Sequence, residues 1–598
     1  MAKFGFLGIL LVSIALFGSC SNNIGRKAQV EQETPAVAEK ATPQKSYGSY
    51  LAGRVAHLRR DFNKASDYYI EALKIDPDNA ELVSRLYLLL VSKGRVDEAA
   101  VYAQKAWDNG DKNSFIQVVL AVDALKKGNY PQVAPTLQKT TNPVYNDFIN
   151  PLLNAWAEVG MNNPDQALAH LDKLKKEPSF RALYHFHRGM INDYFNRTRD
   201  AQTDYEVIVN EEQLEMSFRA LQIISNFYLR TDQKDKAVTI VNKYNDEKLL
   251  AEMLAKLQKN VAEAKVSNTQ KIIQTPNEGA AEALFSIAAT LRQGVGGIDL
   301  AHMFIAMSIY ENPKYDLAKL LLADILENRE MYADANDVYD TIGKESEAYY
   351  TVQLKKANNL VLTQDYAAAE LLLKSIALDS DNYQLYFNIG DILRVKNKPE
   401  EAIEYYEKAL EKLSKPESQH WILYYALGVS YEQDNQWKKA EKTFQKALEL
   451  SDNHYLVLNY LGYSWLRRGE NIDEAFTMIV NAYNQAPNDS NVNDSLGWAL
   501  YNLGYYRMAL NYLEKAAEAD PSNAVISDHL GDAYWFNNRK NEAGFQWRHA
   551  LRLKDDSKEL NKEVVQKKIK EGLLQEPKIS YNQETIEKQI RLIQKSDD

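Results

Sequence analysis

Asp494, Ser495 and His529 supply a carboxylate, a hydroxyl and an imidazole, the side chains of a hydrolytic relay. A serine nucleophile also needs a strained elbow and oxyanion donors beside it. The surrounding "NDSLGWALY" and "SDHLGDAYW" supply neither, so no catalytic residue is assigned. Clusters of acids and amides recur as "DPDN" at 76–79, "DSDN" at 379–382, "SDN" at 451–453, "NDSN" at 488–491 and "DPSN" at 520–523. They have the oxygen donors that calcium prefers, yet lack the central Gly and distal Glu of an EF-hand loop. Asp, Asn and Ser in such runs are expected to cap helices instead. His185 and His187 are two residues apart, which puts them on different faces of a helix and makes them poor joint metal ligands. Gly294-Val295-Gly296-Gly297 lacks the Lys-Ser/Thr of a phosphate-binding loop and is expected to widen a turn between helices. No metal and no cofactor is expected.

The elements that carry these residues repeat. "LGYSWL", "LGWALY" and "LGDAYW" begin three copies of one pattern, with Gly462, Gly497 and Gly531 spaced by 35 and then 34 residues. A period of this length is the mark of a helical-repeat array, and it resembles the tetratricopeptide repeat, TPR. The steric reason for the pattern is visible near the N-terminus. In "AGRVAHLRRDFNKASDYYIEALKIDPDN", Gly53, Ala65 and Ala72 are small where two helices must approach, Tyr69 is large, and Pro77 ends the second helix. Ala99, Ala103 and Ala106 keep the phase. Further units centre on 121/133, 155/167, 189/201 and 225/237, then on 323/335, 357/369, 390/402 and 428/440. The expected fold is all-α: a TPR solenoid of about fourteen antiparallel helix pairs in a right-handed superhelix.

This phase divides the chain. Residues 46–247 form a degenerate N-terminal array, 248–278 break the period, and 279–557 form a C-terminal array. Within 558–598, "KELNKEVVQKKIKEGLL" reads as the polar capping helix that an array needs over its last apolar face, and the tail beyond it as peripheral. At the other end, 1–19 read as a secretory signal. Lys3 supplies the charge, Phe4 to Phe17 the apolar core, and "FGSC" the small residues before Cys20. About fourteen apolar residues are fewer than the roughly 20 of a membrane-spanning helix. The motif resembles the lipobox of bacterial lipoproteins, with Phe17 where Leu is commoner. The resemblance implies that Cys20 becomes the acylated first residue, and Ser21 after it implies the outer membrane. The plainer alternative is a cleaved signal followed by an unmodified cysteine. Residues 20–45 then read as a flexible tether.

A net charge of −11 argues against nucleic-acid binding, which calls for basic patches. Tyr is abundant at 37 residues and suits both helix packing and peptide-contacting grooves. If the first helix of each pair lines the groove, as in TPR proteins, its inward positions in the last three units include Asn459, Tyr463, Arg467, Asp494, Trp498, Tyr501, Asn502, Asp528, Asp532, Trp535 and Phe536. Aromatic anchors among short polar groups make a candidate protein-binding surface.

The run from Gly462 to Leu551 is narrower than a generic repeat. Its "LGY", "DSLGWALY" and "HLGDAYW" resemble a family of bacterial TPR lipoproteins, including the branch that partners a periplasmic carboxyl-terminal processing protease. The resemblance implies a non-catalytic adaptor that brings the protease to cell-wall hydrolases. Its partners would be periplasmic proteins or peptides, and its only membrane contact the N-terminal lipid. The alternative expectation is a scaffold that assembles an envelope machine such as a pilus, secretion system or polysaccharide exporter.

Overall fold

The computed structural model describes residues 45–598, except 60, 212–213, 215, 245–250, 265–269, 293–296, 379–380, 554–559, 574–578 and 598. The expected signal, Cys20 and nearly all of the tether lie outside the described residues. So do most of the glycine-rich insertion and the first half of the "DSDN" cluster. All regular structure among the described residues is helical. Among the described residues, fourteen helix pairs run from Lys45–Leu58 with Phe62–Ile75 to Ala524–Phe536 with Lys540–Arg552. Helix Ala251–Glu263 follows the sixth pair and packs on its second helix, Lys234–Lys243.

Two local devices explain why these residues form pairs. Most intra-pair turns are three residues long, and the middle residue adopts a left-handed conformation, as at Gly94, Asn196, Asn397 and Asn538. Gly and Asn reach that region at least cost. The pair is then closed by contact between a glycine in its first helix and a large side chain sixteen residues later. Gly53 meets Tyr69, Gly189 meets Tyr205, Gly390 meets Tyr406, Gly428 meets Phe444 and Gly531 meets Trp547. A Cβ at any of these glycines would lie 2.4–2.6 Å from the ring. Four of the five acid–amide clusters cap the next helix: Asn79 accepts from the Leu82 N–H, Asn382 from Gln384, Asp489 from Asn491 and Val492, and Asn523 from Val525 and Ile526. After the cluster at 451–453 the cap is His454 instead, whose ring accepts from the Leu456 N–H.

The described residues divide into two compact units, 45–369 and 370–597. In the first, the chain returns on itself. Helices Pro276–Arg292 and Ile298–Glu311 pack against Ala80–Ser92, Ser114–Lys126 and Asn150–Gly160, far earlier in sequence. Trp156 is fully buried against Gly279 and donates its indole N–H to His187 Nδ1 at 3.2 Å. Arg219 reaches Glu282 at 2.8 Å, and the Tyr315 hydroxyl donates to the same carboxylate at 2.6 Å. His302 donates to the Ser92 carbonyl at 2.9 Å. First-helix faces that the repeat pattern assigns to a groove are here covered by the chain's own later helices.

The second unit carries the repeats from Tyr383 onward. The tail expected to be peripheral is packed instead. Ile586, Ile590 and Ile593 of helix Gln583–Asp597 are buried, and this helix lies on Ile472–Gln485. The Tyr581 hydroxyl donates to the Leu503 carbonyl at 3.2 Å and the Asn582 N–H to Asp473 at 2.8 Å. Three isoleucines at helical spacing outweigh the charge of the segment.

Candidate interaction surface

The lane expected to bind proteins runs along the first helices Tyr455–Arg468, Ser490–Asn502 and Ala524–Phe536. Each begins at a capped turn and is held to its second helix through Gly462, Gly497 or Gly531. The structure divides the lane into three parts.

At its C-terminal end, helix Lys562–Glu571 lies on the last repeat and inserts Lys568. The Lys568 ammonium donates to both Asp528 oxygens, at 2.9 and 2.8 Å, and to Asp532 at 2.8 Å. Trp547 donates its indole N–H to the other Asp532 oxygen at 2.8 Å. Burial pushes the Asp532 carboxyl up to about 6 against the pull of Lys568. Burial also works against the charged Lys568, but the two carboxylates outweigh it and its pKa is raised. Trp535 donates to the Leu573 carbonyl at 3.1 Å and packs so tightly on Gly572 that a Cβ there would lie 2.1 Å from the ring. Asp528, Asp532 and Trp535 are therefore engaged within the chain. Helix Lys562–Glu571 lies against Lys540–Arg552 and places Lys568 in the groove. Lys568 is the functional neighbour that the sequence reading missed.

In the middle, His529 Nδ1 lies 2.9 and 3.1 Å from the two Asp494 oxygens. Trp498 stacks on the imidazole with centroids 3.8 Å apart and on Tyr501 at 4.8 Å. Burial lowers the affinity of His529 for a proton, but Asp494, aided by Asp528 and Asp532, more than offsets this and the pKa is raised. A carboxylate on Nδ1 is the geometry of a relay, yet the ring is buried beneath an indole. The pair serves as a buried ionic link between repeats. Tyr501 is buried, and Phe536 stacks on Tyr506 at 4.8 Å. Asn502 turns its amide onto the Trp498 carbonyl at 2.8 Å.

The upstream part differs. Arg467 donates to Glu432 at 2.8 Å while its side chain stays 44% exposed. Asn459 and Tyr463, one turn apart, are half-buried. Asn459 Oδ1 is shielded from solvent and accepts no hydrogen bond from the described residues. Leaving a buried acceptor unpaired costs about 1–3 kcal/mol.

The other sequence candidates have settled partners. His185 Nδ1 lies 2.9 Å from Asp204. His187 is buried, held between Trp156 and Ser286, and burial pushes its pKa down to about 3. No cluster of three or more His, Cys, Asp or Glu residues suited to a metal occurs among the described residues. No helix among them is long and apolar enough to cross a membrane.

Comparison with known proteins finds tetratricopeptide-repeat models matching residues 381–453 and, separately, 49–79 and 491–523. The chain is 24% identical over 545 residues to the TPR repeat-containing protein PA4667 of Pseudomonas aeruginosa, covering 88% of this chain and 90% of that one. It is 30% identical over 122 residues to the BBSome complex member BBS4 of Bos taurus, covering 20% and 22%. Among solved structures, the APC/C hetero-tetramer Cut9–Hcn1 is similar at 14% identity with a TM-score of 0.36, covering 89% of this chain and 97% of that one. The peptide-binding TPR protein YrrB is similar at 24% identity and a TM-score of 0.24, covering 33% and 96%. With the matched repeats placed on consecutive helix pairs closed by small-to-large contacts, the described residues form an all-helical solenoid of the tetratricopeptide-repeat type.

Proposed function

We propose that this chain is a non-catalytic scaffold, held by lipid on Cys20 at the periplasmic face of the outer membrane, that gathers periplasmic proteins. The observation that carries the reading is the array of helix pairs, whose first helix Tyr455–Arg468 presents half-buried Asn459 and Tyr463 and exposed Arg467. A peptide laid along the lane would set an apolar side chain against Tyr463. The resemblance of Gly462 to Leu551 to lipoprotein partners of carboxyl-terminal processing proteases favours an adaptor that brings such a protease to cell-wall hydrolases. Co-locating enzyme and substrate raises their effective concentration without chemistry by the scaffold. Affinity capture from detergent-solubilised envelopes tests this, using the native chain and Tyr463→Ala. The adaptor reading expects a processing protease or wall hydrolase with the native chain and less with the variant. Recovery of pilus, secretion or export subunits without a protease would favour the assembly-scaffold alternative.

A further inference from the structure

The first helix, Lys45–Leu58, turns Gly53 and Ala56 into the core and leaves three large apolar side chains outside. Leu51 is 58% exposed, Val55 48% and Leu58 78%. At 100° per residue, positions 51, 55 and 58 form one stripe along the outer face. Arg54 and Arg59 lie on its two sides and are exposed, and the Arg59 N–H continues the helical ladder to the Val55 carbonyl at 3.0 Å. Neither arginine has an ion pair among the described residues; Arg54 lies 6.0 Å from the Tyr50 ring. Between 45 and 64 the sequence has five basic residues and one acidic residue, against −11 for the whole chain.

An apolar stripe bordered by arginines, at the basic end of an acidic protein, matches an anionic bilayer surface. Leucine and valine enter the acyl boundary while guanidinium groups remain at the phosphates. A protein partner is a weaker match, because the stripe is narrow and carries no aromatic anchor. Position in the chain points the same way, since 44 residues precede this helix and include the expected attachment point at Cys20. We propose that the outer face of helix Lys45–Leu58 docks on the anionic phospholipid surface and orients the repeat array against the membrane. The lipid on Cys20 would supply attachment only, and this inference rests on that reading solely for delivery to the bilayer.

The full chain is reconstituted in vesicles of equimolar phosphatidylethanolamine and phosphatidylglycerol, with an environment-sensitive thiol dye at Leu51→Cys or Val55→Cys. Lys74→Cys, exposed on the next helix, serves as control. The native chain is labelled in parallel, and dye uptake there would report an unacylated Cys20, so failure of the lipid reading is seen separately. Docking predicts a blue shift at 51 and 55, quenching by lipid-borne nitroxides, and little change at 74. It also predicts weaker quenching in phosphatidylcholine vesicles or with Arg54→Glu and Arg59→Glu. An unchanged spectrum on adding vesicles overturns the proposal. A blue shift already present without vesicles would assign the stripe to another segment of the chain, or to a second copy if it depends on concentration; either overturns it as well.

Discussion

The Lys568 ammonium lies 2.8 Å from a carboxylate oxygen of Asp532, a residue 36 positions earlier. This contact seats the chain's own C-terminal helix in the groove of its last repeat. The C-terminal end of the expected binding lane is thereby occupied by the chain itself.

Removing the lysine should expose the cost of that arrangement. Lys568→Met leaves Asp528 and Asp532 facing each other in a buried site, and breaking a buried ion pair on one side costs about 3–5 kcal/mol. The expected result is lost amide-exchange protection across 562–571 and altered Trp535 emission. Adding Asp528→Asn and Asp532→Asn should recover much of the loss.

Glu311 gives a pH dependence to the N-terminal unit. Burial pushes its carboxyl up to about 8, with Asn277 and Lys126 opposing. The folded state holds a proton that the unfolded chain releases near 4.5. Stability should therefore fall as pH rises between these values, by up to about 1.4 kcal/mol per pH unit. Urea unfolding across this range should show the slope, and Glu311→Gln should flatten it.

His529 behaves as a base whose folded pKa is raised. Its contribution is fully present below the unfolded value of 6.5 and is lost as pH rises through the folded one. Asp494→Asn should therefore destabilise the C-terminal unit more on the acid side of this interval than on the alkaline side. Paired denaturant titrations of the native chain and the variant would show the difference.

The glycine contacts can be tested singly. Gly189→Ala places a methyl 2.4 Å from the Tyr205 ring, and overpacking of this kind costs about 1–3 kcal/mol. Gly48→Ala has no neighbour within 4 Å. It should be neutral or stabilise by about 0.5–1 kcal/mol through helix propensity. Thermal unfolding of the two variants should separate them.

The repeat pairing was legible because each contact recurs within a single period. Gly53 with Tyr69 and Gly390 with Tyr406 obey one rule, and the Asn and Asp caps fall at fixed points of it. The covering of Trp156 by Gly279 was not legible, since that contact joins distant repeats and follows no period. Lys568 was hidden for a related reason. In a segment rich in lysine, charge alone does not mark the one ammonium that finds two carboxylates. The packing of Ile586, Ile590 and Ile593 could have been read from their spacing, which describes a helical stripe. Of the expected groove residues, the structure brings Asp494 and Trp498 onto His529, stacks Tyr501 on Trp498, and engages Asp528, Asp532 and Trp535 with the C-terminal segment.

Whether the lane binds proteins is decided by site-specific photo-cross-linking in intact envelopes, with the reactive side chain at position 463 and a parallel probe at 535. Protein adducts are expected at 463, including a processing protease or its wall-hydrolase substrate, and only intrachain products at 535. No adduct at 463, or intermolecular adducts at 535 alone, would refute binding along the upstream lane.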